Sequence, residues 1–257
     1  MHVRAKKHLG QHFLKDDAIS ERIAGSLTGH GGYRDVLEVG PGTGALTRFL
    51  VQRTDIDLTC IELDREAAAH LHDKYPDLRL VEGDFLRMEL DRLGSGNLAV
   101  IGNFPYNIST QIVFKVLENR ERVTELVGMF QKEVADRFCS PHGSRTYGIS
   151  SVLTQAWYDA EVLFNVEPGS FIPPPKVRST VIRLKRNAVK ELGCDERMLF
   201  RLVKAAFNQR RKTMHNALKG FDGLPDGVPQ EYAKLRAEQL SVADFIALAA
   251  LCRPPQG

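Results

Sequence analysis

The stretch EVGPGTGALT, Glu38 to Thr47, sets glycines at 40, 42 and 44 directly behind the short apolar run DVLEV. Glycine admits a tight turn and lets a ligand approach the main chain, and a strand–turn–helix setting is what gives such spacing meaning. Acids gather around this turn. Glu38 precedes it, Glu62 ends the next apolar run 18 residues after Gly44, and Asp84 follows Gly83 at the end of a third run. A carboxylate at the Glu62 position accepts from both hydroxyls of a ribose, and Asp84 is placed to accept from an adenine amine. Their neighbours Leu63 and Phe85 count as part of the same site. So many acids disfavour a pyrophosphate, which is itself anionic. They suit a ligand that carries an ammonium or sulfonium charge, and S-adenosylmethionine carries both.

A second chemical stretch is GNFPYNI, Gly102 to Ile108, behind the apolar run LAVI. The Asn103 side chain offers one acceptor and the Phe104 carbonyl a second. Pro105 has no N–H and stiffens the backbone that aims them. Together they match the two hydrogens of an exocyclic amine, with Tyr106 available to stack on the base. The bland alternative is an aromatic cap that merely covers the sheet. Phe171, in the loop PGSFIPPPKVRS, is a further candidate for holding the base, and it is equally well explained as core. Pro173, Pro174 and Pro175 make that loop stiff enough for a wall.

The elements that must position these groups follow from periodicity. Strand patterns at 35–39, 58–63, 78–83, 98–102 and 125–130 alternate with helical spacing at 45–51, 65–74, from 109 and from 131. That alternation predicts βαβ units and a mostly parallel sheet. Runs 160–166 and 180–186 have only the proline-rich loop between them, which predicts an antiparallel hairpin at a sheet edge. Beyond Asn187 the pattern is helical only, roughly 195–206, 209–219, 230–237 and 241–252. The expected division is therefore a Rossmann-like domain over 1–187 with seven strands and a basic N-terminal arm, and a small all-helical domain over 188–257.

Composition sets the outer limits. The 257 residues carry a net charge of only +3, but Lys176 to Lys219 holds 13 Lys or Arg against Glu191, Asp195 and Glu196. That segment is +10 and the remainder −7. A concentrated basic segment predicts a polyanion partner, the alternative being a solvated helical face. No apolar run reaches the 18 residues a membrane span needs, and the basic N-terminus lacks a signal-peptide core. Cys60, Cys139, Cys194 and Cys252 form no CxxC, which fits free thiols in a reducing cytoplasm. No histidine–carboxylate cluster suggests a metal.

Taken together, the glycine turn, Glu62, Gly83-Asp84 and Asn-Phe-Pro-Tyr resemble S-adenosylmethionine-dependent N6-adenine methyltransferases. Three segments narrow this to the KsgA/RsmA family of small-subunit (16S) rRNA adenine N6,N6-dimethyltransferases: GQHFL (10–14), FIPPPKVRS (171–179) and FNQRRKT (207–213). The resemblance runs from about Lys7 to Leu251. It implies that Gln11, His12 and Leu14 cap the methyl donor, and that the substrate is a pair of adjacent adenosines in the 3′-terminal hairpin loop of 16S rRNA, each dimethylated. The family's commonest form has Leu where Phe104 stands, so the Phe104 ring is expected to narrow the space beside the target base. Arg4, Lys6 and Lys7 of the arm, Lys176 and Arg178 of the proline loop, and Arg201, Lys204, Arg210, Arg211 and Lys212 of the helical part are assigned to RNA phosphates. The last three are expected at or near a helix start, where free N–H groups also favour phosphate. A monomer in the cytoplasm with a role in small-subunit assembly is implied. Two rivals remain: a large-subunit rRNA adenine methyltransferase of the antibiotic-resistance type, and a non-catalytic assembly factor. An NAD-dependent oxidoreductase would need a pyrophosphate turn and a catalytic residue that the sequence lacks.

Overall fold

The computed structural model describes residues 3–224 and 226–253, and of Lys7 the main chain only. In chain order the elements are β1 (Phe13–Leu14), α1 (Asp17–Ala24), β2 (Asp35–Val39), α2 (Thr47–Leu50), β3 (Asp57–Glu62), α3 (Arg65–Lys74), β4 (Arg79–Glu82), β5 (Leu98–Asn103), α4 (Ser109–Glu118), β6 (Val123–Gln131), α5 (Lys132–Cys139), α6 (Ile149–Gln155), β7 (Tyr158–Val166), β8 (Phe171–Ile172), β9 (Ser179–Arg186), α7 (Glu196–Asn208), α8 (Met214–Ala217), α9 (Gln230–Ala233) and α10 (Val242–Ala250).

The seven-stranded sheet has the order β4-β3-β2-β5-β6-β9-β7. The first five strands in that order pair in parallel, and β9 runs antiparallel to β6. Side-chain contacts Thr180–Asn165 and Arg183–Glu161 run in opposite chain directions, as a β7–β9 hairpin requires. β5 is buried on both faces up to Gly102, which explains its unbroken apolar run. β2 lies between β3 and β5, so the chain order reverses there and the crevice opens at the carboxyl ends of β2 and β5. β1 and β8 pair separately, Phe13 opposite Ile172 and Leu14 opposite Phe171, and this fastens the N-terminal arm to the proline loop.

Two compact units are present, and the line between them differs from the expected one. One unit takes in the chain to Ala135 together with Asp159–Arg186; the other takes in Asp136–Tyr158 and everything from Asn187. The border near 187 is shared with the sequence reading, but 136–158 joins the helical unit because Tyr147 and Val152 belong to its core, with Leu199, Leu202, Phe245 and Leu248. Apolar spacing in α6 shows that a face is buried and not which core buries it.

Candidate active site

A cavity of about 150 Å³ opens where the carboxyl ends of β2, β3 and β5 meet. Its walls include Glu38, Glu62 and Asp84, and among the lining residues there is no Lys or Arg. Gln11, His12 and Leu14 close it from the arm, Gly40 and Gly42 from the turn, Leu63 and Phe85 from the loops after β3 and β4, and Asn103 to Tyr106 from the end of β5.

Each acid has its own environment. Glu62 is 5 % exposed. One of its oxygens accepts from the Gly42 N–H and the other from the Asp64 N–H, both at 2.9 Å. Burial raises its pKa, and those two N–H groups oppose the rise. Each oxygen keeps a second lone pair for a ligand hydroxyl. Glu38 is fully buried beneath the turn, where it accepts from Thr47 Oγ1 at 2.8 Å and Cys60 Sγ at 3.5 Å. Burial pushes its carboxyl up to about 7. Asp84 is half-buried and accepts from the Leu86 N–H at 2.9 Å.

Gly42 has φ +59°, and a Cβ there would lie 2.9 Å from the Phe13 ring. The glycine is therefore required by the arm folding over the turn as well as by any ligand. The arm is held by Asp64, whose side chain has no exposed area. Lys6 Nζ binds Asp64 at 2.6 Å and Glu66 at 3.3 Å, Gln11 Nε2 donates to Asp64 at 3.2 Å, and Gln11 Oε1 accepts from the Lys6 N–H. Asp64 also caps α3 by accepting from the Glu66 N–H. Sequence reasoning missed this residue, although an Asp immediately before a helical run is a recognisable N-cap signal. Lys6, assigned to phosphate, is instead committed to two carboxylates.

Asn103 Nδ2 donates to the His12 carbonyl at 2.8 Å, which fixes the amide and leaves Oδ1 as the acceptor. Tyr106 stacks on the His12 ring, centroids 5.1 Å apart, and its hydroxyl bonds Ser179 Oγ at 2.6 Å. His12 Nδ1 donates to the Pro173 carbonyl at 2.7 Å. One arm residue thus touches the amide, the aromatic and the proline loop, a convergence with no sequence signal beyond GQHFL itself.

Three expectations are corrected here. Phe171 is 1 % exposed within the apolar core, because β8 alternates and turns Phe171 inward and Ile172 outward; it does not line the cavity. Phe104 does not narrow the pocket with its ring: the side chain is 1 % exposed and packs edge-on to Phe130, over Gly102 and Gly128, where a Cβ at Gly128 would lie 2.1 Å from it. Arg210, Arg211 and Lys212 lie on the turn between α7 and α8, just ahead of the Thr213 N-cap, and not within the helix that the spacing predicts over 209–219; α8 spans Met214–Ala217.

The other cations divide between the two units. Within the helical unit, Arg210 turns inward, with Nε on Glu238 at 2.9 Å and a terminal nitrogen on the Arg145 carbonyl at 2.6 Å. Arg211, Lys212 and Lys204 are exposed, and Arg201 binds Asp222. In the other unit Arg4 and Lys176 are exposed, and Arg178 is exposed but paired with Glu167 at 3.0 Å. The Lys7 side chain lies outside the described residues.

A family model described as Ribosomal RNA adenine dimethylase matches residues 2–247. The chain belongs to the ribosomal RNA adenine dimethylase family. A relative from Cytophaga hutchinsonii, Ribosomal RNA small subunit methyltransferase A, is 51 % identical over 248 residues, which is 96 % of each chain. Among solved structures, a dimethyladenosine transferase from Plasmodium falciparum superposes with a TM-score of 0.75 at 24 % identity, over 92 % of this chain and 96 % of that one. The 23S rRNA methyltransferase ErmE superposes with a TM-score of 0.69 at 25 % identity, over 92 % and 99 %. As a rRNA adenine dimethylase, this chain is an S-adenosylmethionine-dependent methyltransferase. The cavity fits that donor: its charged lining is acidic only, its turn admits no side chain at Gly42, and a buried carboxylate stands at the end of β3.

Proposed function

We propose that the protein methylates the N6 amines of two adjacent adenosines in the 3′-terminal hairpin loop of 16S rRNA, adding two methyl groups to each, within the cytoplasmic small subunit or its precursor. The observation that carries this reading is the fixed Asn103 amide at the reaction end of an acidic cavity. The large-subunit alternative is represented by ErmE at 25 % identity, against about twice that for the small-subunit relative. The full set Glu38, Glu62, Asp84 and Asn103 is what a catalyst needs and an assembly factor without catalysis does not.

S-adenosylmethionine, when bound, supplies an electrophilic methyl on a sulfonium. Glu62 is the residue to hold the ribose hydroxyls, Asp84 the adenine amine, and Glu38, its carboxyl pushed up to about 7 by burial, braces the turn through Thr47. The chemistry left to the protein is to present the substrate amine. That amine is a poor nucleophile because its lone pair conjugates with the ring. Asn103 Oδ1 and the Phe104 carbonyl accept its two hydrogens, favour a more pyramidal nitrogen and stabilise the positive charge that develops there. Tyr106 supplies a ring face for the base, with its plane set by His12 and Ser179. The proton leaves to water. After the first methylation one acceptor has no hydrogen to receive and must tolerate a methyl group. Arg211, Lys212, Lys204, Lys176 and Arg4 are the exposed cations assigned to phosphates, where they position the RNA without reading its sequence.

The experiment is to incubate the protein with labelled S-adenosylmethionine and unmethylated small subunits and map the modified nucleotides. Label on two neighbouring adenosines of the 3′-terminal hairpin supports the assignment. Label confined to large-subunit RNA, or none, overturns it.

A further inference from the structure

The proline loop carries exposed apolar side chains beside the reaction end of the site. Ile172 is 58 % exposed and Val177 is 46 % exposed, with Pro173 and Pro174 exposed between them. A short loop free to move would fold such groups inward. This one is pinned at both ends: Ile172 pairs with Phe13 and the Pro173 carbonyl accepts from His12 Nδ1, while Ser179 bonds Tyr106 and the Arg178 carbonyl accepts from the Lys132 N–H. The alternation that buries Phe171 is what turns Ile172 out. Lys176, exposed on the same loop, complements the charge of an RNA polyanion and not that of an apolar protein face.

We propose that Ile172 and Val177 form an apolar wedge against which the base next to the target packs, filling the space that the target adenine vacates. This rests on the RNA reading above. An amine inside a stacked loop cannot reach Asn103, so the target must leave the stack, and unstacking costs energy that an apolar side chain in the gap offsets. Two adjacent targets make the same device serve twice, since whichever adenosine enters the site leaves its neighbour outside. The wedge is held by the same His12 and Ser179 contacts that set Tyr106, so the ring for the extruded base and the filler for its gap are built as one piece.

The test uses the full chain with Ile172→Thr and Val177→Thr combined, which keeps β-branched shape and removes apolar surface, and with Ile172→Leu and Val177→Leu combined as the conservative control. Methyl transfer to unmethylated small subunits is measured in a single turnover. Binding to the 3′-terminal hairpin with 2-aminopurine at a target position is followed by fluorescence. The wild type and the Leu pair should brighten the probe; the Thr pair should not, and its transfer rate should fall about tenfold. Donor affinity and the salt slope of RNA binding should be unchanged. A Thr pair that transfers and brightens as the wild type does overturns the wedge. So does a slowed Thr pair that still brightens the probe, or a wild type that never brightens it. Failure of the wild type to methylate subunits at all would instead sink the functional reading.

Discussion

Replacing Glu62 by Gln tests the donor site most directly. Ala is the poorer choice, because it orphans two buried N–H groups and confounds binding with folding. The carboxylate accepts from Gly42 and Asp64 through different oxygens and has one lone pair left on each. Gln keeps one acceptor oxygen and sets an NH₂ group against one of those N–H donors. Two losses follow. One main-chain hydrogen bond disappears, at about 1–3 kcal/mol for an unsatisfied buried group, partly offset because a buried negative charge is also removed. One charge-assisted bond to a ribose hydroxyl disappears as well, worth about 1.5–3 kcal/mol, or about 10- to 150-fold in donor affinity.

The two losses separate by measurement. Thermal unfolding without donor reports the first. Calorimetric titration with S-adenosylmethionine well below the melting temperature reports the second. The donor-induced rise in Tm should shrink in step with the fall in affinity, because ligand stabilisation follows RT ln(1 + [L]/Kd). A folded Glu62→Gln protein that binds donor within about threefold of wild type would refute the ribose assignment. The acids would then matter as a general field, and Asp84 would become the first candidate for a specific contact.

Asn103→Ala should lower the single-turnover rate on the order of 100-fold while RNA affinity stays near wild type, because it removes a preorganised acceptor at the reacting amine and leaves the phosphates untouched. Arg211→Ala with Lys212→Ala should lower the slope of log affinity against log salt by about 0.7–0.9 for each phosphate no longer neutralised, whereas Arg210→Ala should instead lower the melting temperature, since Arg210 ties the 144–145 carbonyls to Glu238. For Glu38 the folded pKa of about 7 lies above the ordinary 4.5, so the folded state holds a proton that the unfolded chain releases first. Stability from this group is full below pH 4.5 and is lost as pH rises to about 7; Glu38→Gln should remove that dependence, which amounts to about 2.5 kcal/mol between urea unfolding at pH 5 and at pH 8. Phe171→Ala should cost about 3–5 kcal/mol in urea unfolding, as a core deletion does, with donor affinity unchanged.

Much of the fold was legible because it depends on periodicity. α3 falls on 65–74 as the spacing requires, since Asp64 caps it and Ala67, Ala68 and Leu71 make its buried face. The strands from 35 to 131 lie within a few residues of their apolar runs. What sequence could not supply was orientation. The helix read at 45–51 shrinks to Thr47–Leu50, because the chain around Gly44 and Ala45 is still a turn. The basic residues after Phe207 do precede a helix start, but the turn residues Gln209 to Lys212 intervene and α8 is four residues long, where the pattern predicts a helix over 209–219. Phe171 and Phe104 are chemically able to stack on a base, and only the pleat of β8 and the bare surface over Gly102 and Gly128 send both rings into the interior. Lys6 and Arg210 show the same limit for charge: a cation counted toward a polyanion can be spent on a neighbouring carboxylate.

The reaction brings a cationic donor and a polyanionic substrate to one carbon atom, and the chain meets the two charges in different places. Negative charge lines the cavity on Glu62 and Asp84, with Glu38 beneath the turn contributing only as it ionises around pH 7, and none of the lining residues there is a Lys or Arg. Of the cations assigned to RNA, the exposed ones include Arg4 and Lys176 in one unit and Lys204, Arg211 and Lys212 in the other. The reaction end, Asn103 to Tyr106, carries neither sign. It offers neutral acceptors, and that is what the chemistry there demands. A carboxylate in place of Asn103 would repel the RNA phosphates and would lose the hydrogen bond to the His12 carbonyl, since it has no N–H to give. A cation there would oppose the charge that develops on the attacking nitrogen. A neutral amide fixed through its N–H side by the main chain of the arm is the side chain that satisfies both constraints, and in the proposed mechanism this ties the arm over the cavity to the group that presents the amine.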